Sequence, residues 1–279
     1  MSKTALITGT SSGIGLSTAV LLARAGFTTI ATVRELERSQ ALRERAQREG
    51  VTLDIRRLDV CDQASVDSCI QEVLAQYGKV DVLVNNAGAG HKGTLEQISI
   101  REIQQNLDVN FLGPVRLTRA LIPAMREAGS GRIITVTSLN GVLGVPFNDA
   151  YNASKFAIEG LMEGLAPVVA RFGVSVSLIE PGPVRTAFFA TRDRAHAARV
   201  KSESDPYQPL LEAYDRAVLD RASAGQTGDD VARTIIEAAT ADVPHLRYQT
   251  SDFARAVVAQ VRVDPTGDSI VAQMSAQIR

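Results

Sequence analysis

The sequence predicts a single α/β domain over residues 1–279, a doubly wound parallel sheet of about seven strands with helices on both faces. Short apolar runs rich in β-branched residues alternate with longer stretches of helical periodicity, which is the pattern of strand–helix–strand units. A cluster of glycines lies between the first apolar run and the first helical stretch, and no linker or internal repeat interrupts the alternation. The chain is therefore expected to fold around one sheet.

The individual elements follow from the same patterns. Strands are expected at residues 5–8, 28–33, 52–58, 80–84, 132–137, 174–179 and 245–249. Helices are expected after residue 15 and at residues 35–49, 62–78, 99–127, 251–262 and 267–278, with a long helix that ends at residue 173. Ser99 with Glu102, and Thr227 with Asp230, have the spacing of residues that cap helix N-termini.

Two segments stand outside the regular alternation. Residues 186–209 have mixed charge and no clear period. Because long irregular segments in compact domains are often functional, we expect residues 186–225 to form a substrate lid. Residues 251–279 are expected to form a C-terminal helical extension.

Composition favours a protein that acts on small molecules. Hydrophobic residues make up 45% and charged residues 22%, as in ordinary globular proteins, and the net charge is −1. The two signs of charge are interspersed, which predicts neither a nucleic-acid surface nor a membrane surface. No apolar stretch reaches the ~18 residues of a transmembrane helix, and we expect a cytoplasmic protein.

The cysteines and histidines predict neither a disulfide framework nor a metal site. Cys61 and Cys69 are eight residues apart and fit structural positions, and the three histidines show no ligand spacing.

The glycine turn after the first strand fits a dinucleotide. Glycines allow a tight turn and a close approach of a pyrophosphate to a helix N-terminus. The residues expected to bind it are Gly9, Ser11, Ser12, Gly13, Ile14 and Gly15. Their Gly-x-x-x-Gly-x-Gly spacing differs from the commoner fingerprint, and residues 9–13 also match the Gly-x-Ser-x-Gly elbow of serine hydrolases. A hydrolase is the remote alternative, because that elbow normally follows several strands of the sheet, whereas this turn follows the first strand.

The end of the second strand indicates which dinucleotide is used. An NAD enzyme would usually carry an acidic residue here for the ribose hydroxyls. The strand instead ends at Arg34, whose guanidinium suits a 2′-phosphate. We therefore expect NADP(H), with a solvated surface charge as the alternative role of Arg34.

Tyr151 and Lys155 are one helical turn apart, so their side chains lie on one face. A nearby cation lowers the pKa of a tyrosine towards working pH, which would make Tyr151 a usable acid. Such a pair also occurs by chance on exposed helices, so the other motifs decide its meaning.

Together the motifs resemble the short-chain dehydrogenase/reductase family along nearly the whole chain. They are TGTSSGIG at 8–15, LDV at 58–60, NNAG at 85–88, Asn110, Ser138, Tyr151-x-x-x-Lys155 and PGPVRT at 181–186. The resemblance implies a Rossmann-type fold with Tyr151 as the acid/base and Ser138 bound to the substrate oxygen. It also implies that Lys155 binds the ribose and tunes Tyr151, and that Asn110 anchors a proton-relay water.

The resemblance further implies the rest of the cofactor site. Asp59 and Val60 would hold the adenine, and Asn86, Ala87 and Gly88 would flank the adenosine ribose. The nicotinamide end would contact Pro181, Gly182, Val184 and Thr186.

The sequence is most similar to one branch of the family, the group of 17β-hydroxysteroid dehydrogenase type 1 and the photoreceptor retinol dehydrogenases. The shared blocks include PFNDAYNASKFAIEGLMEGLAP and FGVSVSLIEPGPVRTAF. Residues 190–225 match poorly, and Arg216 stands near the position where the oestrogen enzyme has a steroid-contacting histidine. Six apolar residues are expected either to line a hydrophobic pocket or to pack as core under a loop: Val142, Leu143, Val145, Phe147, Phe188 and Phe189.

These features predict an NADP(H)-dependent carbonyl reductase or alcohol dehydrogenase for a hydrophobic, steroid- or retinoid-like ketone, aldehyde or alcohol. A regulatory protein that senses NADPH without turnover is the alternative on the same fold. The family further implies a homodimer or homotetramer, paired through residues 107–127 and 152–171.

Overall fold

The computed structural model describes residues 2–199, 205–223 and 225–263. Within these ranges seven strands form one parallel sheet in the order β3-β2-β1-β4-β5-β6-β7. The strands are β1 (Thr4–Ile7), β2 (Thr28–Val33), β3 (Asp54–Arg57), β4 (Val82–Asn85), β5 (Gly131–Val136), β6 (Val174–Glu180) and β7 (Arg247–Gln249). The predicted doubly wound fold is confirmed.

Ten α-helices lie in the described part of the chain. They are α1 (Gly13–Arg24), α2 (Gln40–Arg48), α3 (Gln63–Tyr77), α4 (Ile100–Leu107), α5 (Gly113–Glu127), α6 (Asp149–Ala170), α7 (Ala187–Arg199), α8 (Gln208–Ser223), α9 (Gly228–Thr240) and α10 (Asp252–Val263). A π-helical segment, Asp108–Leu112, joins α4 to α5. Within the described ranges no helix has the length and apolarity to cross a bilayer.

Alternate residues of each strand face the two sides of the sheet, as the pleat requires. Leu6 of β1 packs in a cluster with α3, α5 and α6. Its neighbours Ala5 and Ile7 pack on the opposite face with α1 and α9. Both faces are therefore buried.

The strand order reverses at β1, which pairs with β2 on one side and β4 on the other. In open α/β sheets such a switch point leaves a crevice at the carboxyl ends of the strands, where ligands bind. The glycine turn and the segment after β4 both lie at this crevice.

Residues 186–225 differ from their expected irregular structure, because α7 and α8 lie in this segment. These two helices were not expected from the sequence, and the role of the segment as a lid stays a prediction. Buried polar residues, Arg192 and His196, occupy inward positions of α7, so the usual apolar stripe is absent. The expected helix at residues 267–278 lies outside the described residues.

Candidate active site

The glycine turn packs directly against the segment after β4. Gly9 has a φ of 71°, and a Cβ there would lie 2.8 Å from the Cα of Ala87. A Cβ at Gly15 would lie 2.3 Å from the carbonyl oxygen of Gly9. The side chain of Asn86 donates to the carbonyls of Thr8 at 2.9 Å and Gly9 at 3.0 Å. Asn86 thus braces the turn, a role that the strand-end position alone did not indicate.

The start of α1 fits a phosphate group. The first amides of a helix have no acceptor within it, and here those are the amides of Gly13, Ile14 and Gly15. Ser12 is the N-cap residue, and its side chain makes no capping hydrogen bond. Gly13 has a φ of 57°, and a Cβ there would lie 3.1 Å from Thr186. The turn therefore leaves room for a ligand that brings its own hydrogen-bond acceptors.

The residues expected at the adenosine end follow β2 and β3. The Arg34 side chain is 61% exposed, and its Nε lies 3.6 Å from the carboxylate of Glu35. The carboxylate of Asp59 accepts a hydrogen bond from the amide of Cys61 at 3.0 Å. The carbonyl of Val60 accepts from Arg116 at 3.0 Å. Arg34 thus offers an exposed guanidinium at this end.

The long helix α6 brings Tyr151 and Lys155 to the carboxyl end of β5. The ammonium of Lys155 donates to the carbonyl of Val136 at 3.0 Å and lies 5.6 Å from the centre of the Tyr151 ring. A Cβ on Gly88 would lie 3.9 Å from this ammonium. Ser138 follows β5, and its hydroxyl accepts from the amide of Asn140 at 3.1 Å. The side chains of Ser138, Tyr151 and Lys155, which were predicted from the sequence to act together, thus meet at one edge of the sheet.

The electrostatics of Tyr151 differ from the expectation. Burial raises the pKa of Tyr151 to about 12, although a hydrogen bond with Ser138 and the positive charge of Arg192 oppose the shift. The expected lowering of this pKa towards working pH is therefore wrong for the protein without cofactor, because burial outweighs the charges. Burial also lowers the pKa of Lys155 to about 8, opposed by the negative charge of Glu159. Tyr151 consequently keeps its proton at neutral pH.

Asn110 lies in the π-helical segment and joins the loop after β4 to α6. Its side-chain oxygen accepts from the amide of Ala89 at 2.8 Å, and its nitrogen donates to the carbonyl of Ala89 at 2.8 Å. The same nitrogen lies 3.0 Å from the hydroxyl of Ser154. Its role in holding a relay water stays a prediction.

The segment 181–186 lies between the Ser138 loop and α9. The carbonyl of Pro181 accepts from the amide of Leu139 at 3.0 Å. Val184 forms a parallel bridge with Gln226, just before α9. Together with the contact between Gly13 and Thr186, these bonds place the segment across the crevice from the glycine turn.

The six apolar residues expected near a pocket separate into three groups. Leu143, with Val142 and Val145, packs on α10. Phe147 packs against Tyr214 of α8, with ring centres 5.5 Å apart. These four residues follow the alternative of core packing under a loop. Phe188 instead contacts the Tyr151 ring at 5.6 Å, and Phe189 packs on Phe188 at 5.8 Å.

Charged residues of the lid region were missed by the sequence analysis. Arg192 is 9% exposed, with its guanidinium over the Phe189 ring and bonded to Asp193. Lys92 is 6% exposed, and its ammonium donates to both carboxylate oxygens of Asp215, at 2.9 and 2.8 Å. Nothing in the local sequence distinguishes Lys92 from a solvated charge, since Asp215 is distant in the chain. Arg216 is exposed on α8.

The cysteines fit their expected structural positions. Burial raises the pKa values of Cys61 and Cys69 to about 11, as for unreactive structural thiols. Across the described ranges no group of three or more His, Cys, Asp or Glu residues has the arrangement of a metal site.

A phosphate-binding turn and a tyrosine–lysine pair at one crevice of a parallel sheet define a dinucleotide-binding oxidoreductase. Residues 3–197 match the family described as short chain dehydrogenase, and the chain belongs to this family. The resemblance inferred from the motifs is thereby confirmed.

The relatives agree with the branch indicated by the sequence. Retinol dehydrogenase 8 of Bos taurus is 38% identical over 278 residues, which cover 96% of this chain and 88% of the relative. The 17-beta-hydroxysteroid dehydrogenase type 1 of Homo sapiens is 39% identical over 284 residues, covering 98% and 85%.

Solved structures of the family carry either dinucleotide. An actinorhodin polyketide ketoreductase with NADPH is 29% identical, with a TM-score of 0.76 over 89% of this chain and 95% of that one. A short chain dehydrogenase/reductase from Burkholderia phymatum in complex with NAD is 28% identical, with a TM-score of 0.81 over 96% and 95%.

Proposed function

We propose that the protein is an NADP(H)-dependent oxidoreductase that interconverts a hydrophobic ketone or aldehyde and its alcohol. The observation that carries the proposal is the meeting of Ser138, Tyr151 and Lys155 beside the glycine turn. Carbonyl reduction needs a hydrogen-bond donor and an acid near the carbonyl oxygen, and these side chains provide both.

Each side chain has a distinct part in this chemistry. When bound, NADP(H) supplies or accepts the hydride. The Tyr151 hydroxyl gives its proton to the carbonyl oxygen. With a pKa of about 12, Tyr151 is protonated at neutral pH and can donate. Ser138 hydrogen-bonds to the same oxygen, and Lys155 binds the ribose through its ammonium.

The preference for NADP(H) rests on Arg34. Its guanidinium is exposed at the end of β2, where an acidic residue would serve NAD. The NADPH-bound ketoreductase supports the proposal, while the NAD-bound relative means that the residue at this position has to be tested. Residues 9, 11–15, 59–60, 86–88 and 181–186 would hold the remainder of the cofactor.

The hydrophobic substrate class rests on the relatives and on the lid. Retinol dehydrogenase 8 and 17-beta-hydroxysteroid dehydrogenase type 1 are named for lipophilic alcohols. Phe188 and Phe189 of α7 offer apolar surface next to Tyr151. Residues 186–225 are proposed to cover this substrate.

Replacing Tyr151 with phenylalanine tests the proposal. NADPH oxidation in the presence of retinal, ketosteroids and small ketones should fall by roughly 10²- to 10⁴-fold, because the proton donor is lost. NADPH binding, followed by its fluorescence, should persist. Tyr77→Phe is the matched control, since this tyrosine lies on α3 and bonds to Asp54.

Equal rates for parent and Tyr151→Phe would refute the assigned proton donor. NADPH binding by the parent with no oxidation across the whole panel would instead support the sensor.

A further inference from the structure

A buried group of charges lies behind the proposed active site. Glu159 is one turn beyond Lys155 on α6, so Tyr151, Lys155 and Glu159 form one stripe of the helix. Glu159 is 5% exposed, and Glu180 at the end of β6 is fully buried. Buried carboxylates are costly unless a cation compensates them.

One cation lies between the two carboxylates. The guanidinium of Arg247, on β7, is 3.3 Å from Glu159 and 3.1 Å from Glu180. It also contacts Glu163, an exposed residue of α6, at 2.8 Å. Gln249 donates to the second oxygen of Glu180 at 2.6 Å. Arg247 therefore ties α6 to the last two strands of the sheet.

Glu159 also contacts the loop that begins at Ser138. A Cβ on Gly141 would lie 2.9 Å from the Cγ of Glu159 and 3.0 Å from the carbonyl oxygen of Lys155. Gly141 thus lets the loop lie directly on α6 at this point. The loop therefore packs on the Glu159 side chain, one helical turn from Lys155.

We propose that Glu159 is a positioning residue for the reaction, whose carboxylate, compensated by Arg247, keeps the Lys155 ammonium charged and holds the loop that carries Ser138. The inference rests on the proposed function, because it assigns Glu159 a part relative to Tyr151 and Lys155. Glu159 itself does not touch the reacting atoms.

The charges around the two groups support this role. Burial lowers the pKa of Lys155 to about 8, and the charge of Glu159 opposes that shift. Burial raises the pKa of Glu159 to about 7, helped by Glu180 and opposed by a hydrogen bond with Thr137 and by Arg247. The charged groups that face Glu159 are therefore Lys155 on α6, Glu180 on β6 and Arg247 on β7. Above pH 7 the carboxylate is charged, and it supports the ammonium in the range where Lys155 begins to lose its proton.

The test is the pH dependence of NADPH binding and of kcat in Glu159→Gln, which removes the charge at nearly constant volume. NADPH binding by the parent should weaken as the pH rises through about 8, since Lys155 then loses its charge. In Glu159→Gln this alkaline limb should move about one pH unit lower, because an adjacent opposite charge shifts a pKa by about that amount. The kcat profile should shift in the same direction.

Glu163→Gln is the matched control. The substitution removes the same charge from the same helix. Glu163 also contacts Arg247, but it lies one helical turn farther from Lys155 than Glu159 does. Its alkaline limb should coincide with that of the parent. If Glu159→Gln fails to fold, as judged by its thermal melt, Glu159→Asp takes its place. Its withdrawn carboxylate should give a smaller shift of the same sign.

An alkaline limb unchanged in the folded Glu159 variant would overturn the proposal. So would a loss of binding that is equal at every pH, which is the mark of a purely structural residue. If none of the carbonyl compounds tested supports oxidation of NADPH by the parent, the proposed function fails. The pH profile of NADPH binding then still decides the role of Glu159.

Discussion

At the adenosine end of the crevice, exposed cations lie at the ends of β2 and β3, Arg34 and Arg57. The Arg34 guanidinium is exposed, and the carboxylate beside it, Glu35, makes a shorter contact with Arg38, at 2.8 Å. Arg34 is therefore available to a phosphate. A charged hydrogen bond contributes about 1.5–3 kcal/mol, which corresponds to a roughly 10- to 100-fold change in affinity.

Arg34→Asp should consequently raise the KM for NADPH by about 10- to 100-fold and lower the KM for NADH, as measured in steady-state kinetics. Arg48→Asp makes the same charge change at an exposed residue in the last turn of α2 and should leave the ratio of the two constants near that of the parent. Unchanged constants for both cofactors in Arg34→Asp would remove Arg34 from the site.

Sequence spacing predicted which side chains meet at the site, but it did not predict how the folded protein shifts their pKa values. The interval between Tyr151 and Lys155 places them on one helical face by geometry alone. Their pKa values depend on burial and on Arg192 and Glu159, whose positions follow from tertiary packing. The glycine turn could be predicted for a similar reason, because its conformation depends on neighbouring residues. The hydrogen bonds from Asn86 to the turn could not be predicted, because they join segments far apart in the chain.

At the level of elements, the lid is held to the rest of the protein by ion pairs. Lys92, in the loop after β4, binds both oxygens of Asp215 on α8 and lies 3.5 Å from Asp193 on α7. Lys92 is buried while Asp215 is partly exposed, so the pair contributes less than a fully buried one. It still joins both lid helices to one loop.

Asp215→Asn should loosen α8, because the buried Lys92 ammonium loses the charge of a carboxylate that it contacts at 2.8 Å. We expect local opening to become easier by about 1–2 kcal/mol, and limited proteolysis within residues 187–223 to become about ten times faster. Glu212→Gln is the control, since this exposed residue on the same helix bonds only locally, to Gln208. Equal cleavage rates in parent and Asp215→Asn would show that the ion pair does not hold the lid.

These ion pairs also explain why the lid helices were missed. A helix is recognised in a sequence by its apolar stripe. In α7 the buried positions include Arg192, which pairs with the adjacent Asp193, and His196, which lies 3.0 Å from the carbonyl of Lys92. The strands and the remaining helices have the usual patterns, and their order was predicted along the chain.

At the level of the whole molecule, exposed apolar side chains on α6 and on the segment between α4 and α5 support the oligomer that the family implies. Leu112 is 40%, Phe156 45% and Val168 58% exposed. Single exposed apolar side chains are common on the surfaces of monomeric proteins, so the number of subunits has to be measured.

Phe156→Glu should shift the protein to a smaller species in light scattering, because a charge would be buried in the interface between subunits. Val243→Glu changes an equally apolar residue that is 83% exposed and lies outside these helices, and its mass should equal that of the parent. If Phe156→Glu keeps the parent's mass, α6 does not form the interface at this residue.

Phe188 occupies part of the crevice beside Tyr151. Its ring packs on Tyr151, and a Cβ on Gly90 would lie only 2.8 Å from it, so the ring is confined between the two. Any molecule that packs on this face of Tyr151 competes with an intramolecular aromatic contact, and the competition favours large apolar ligands over small polar ones. At the same time the ring keeps bulk water from this face of Tyr151. Size discrimination and exclusion of water would thus come from the same side chain.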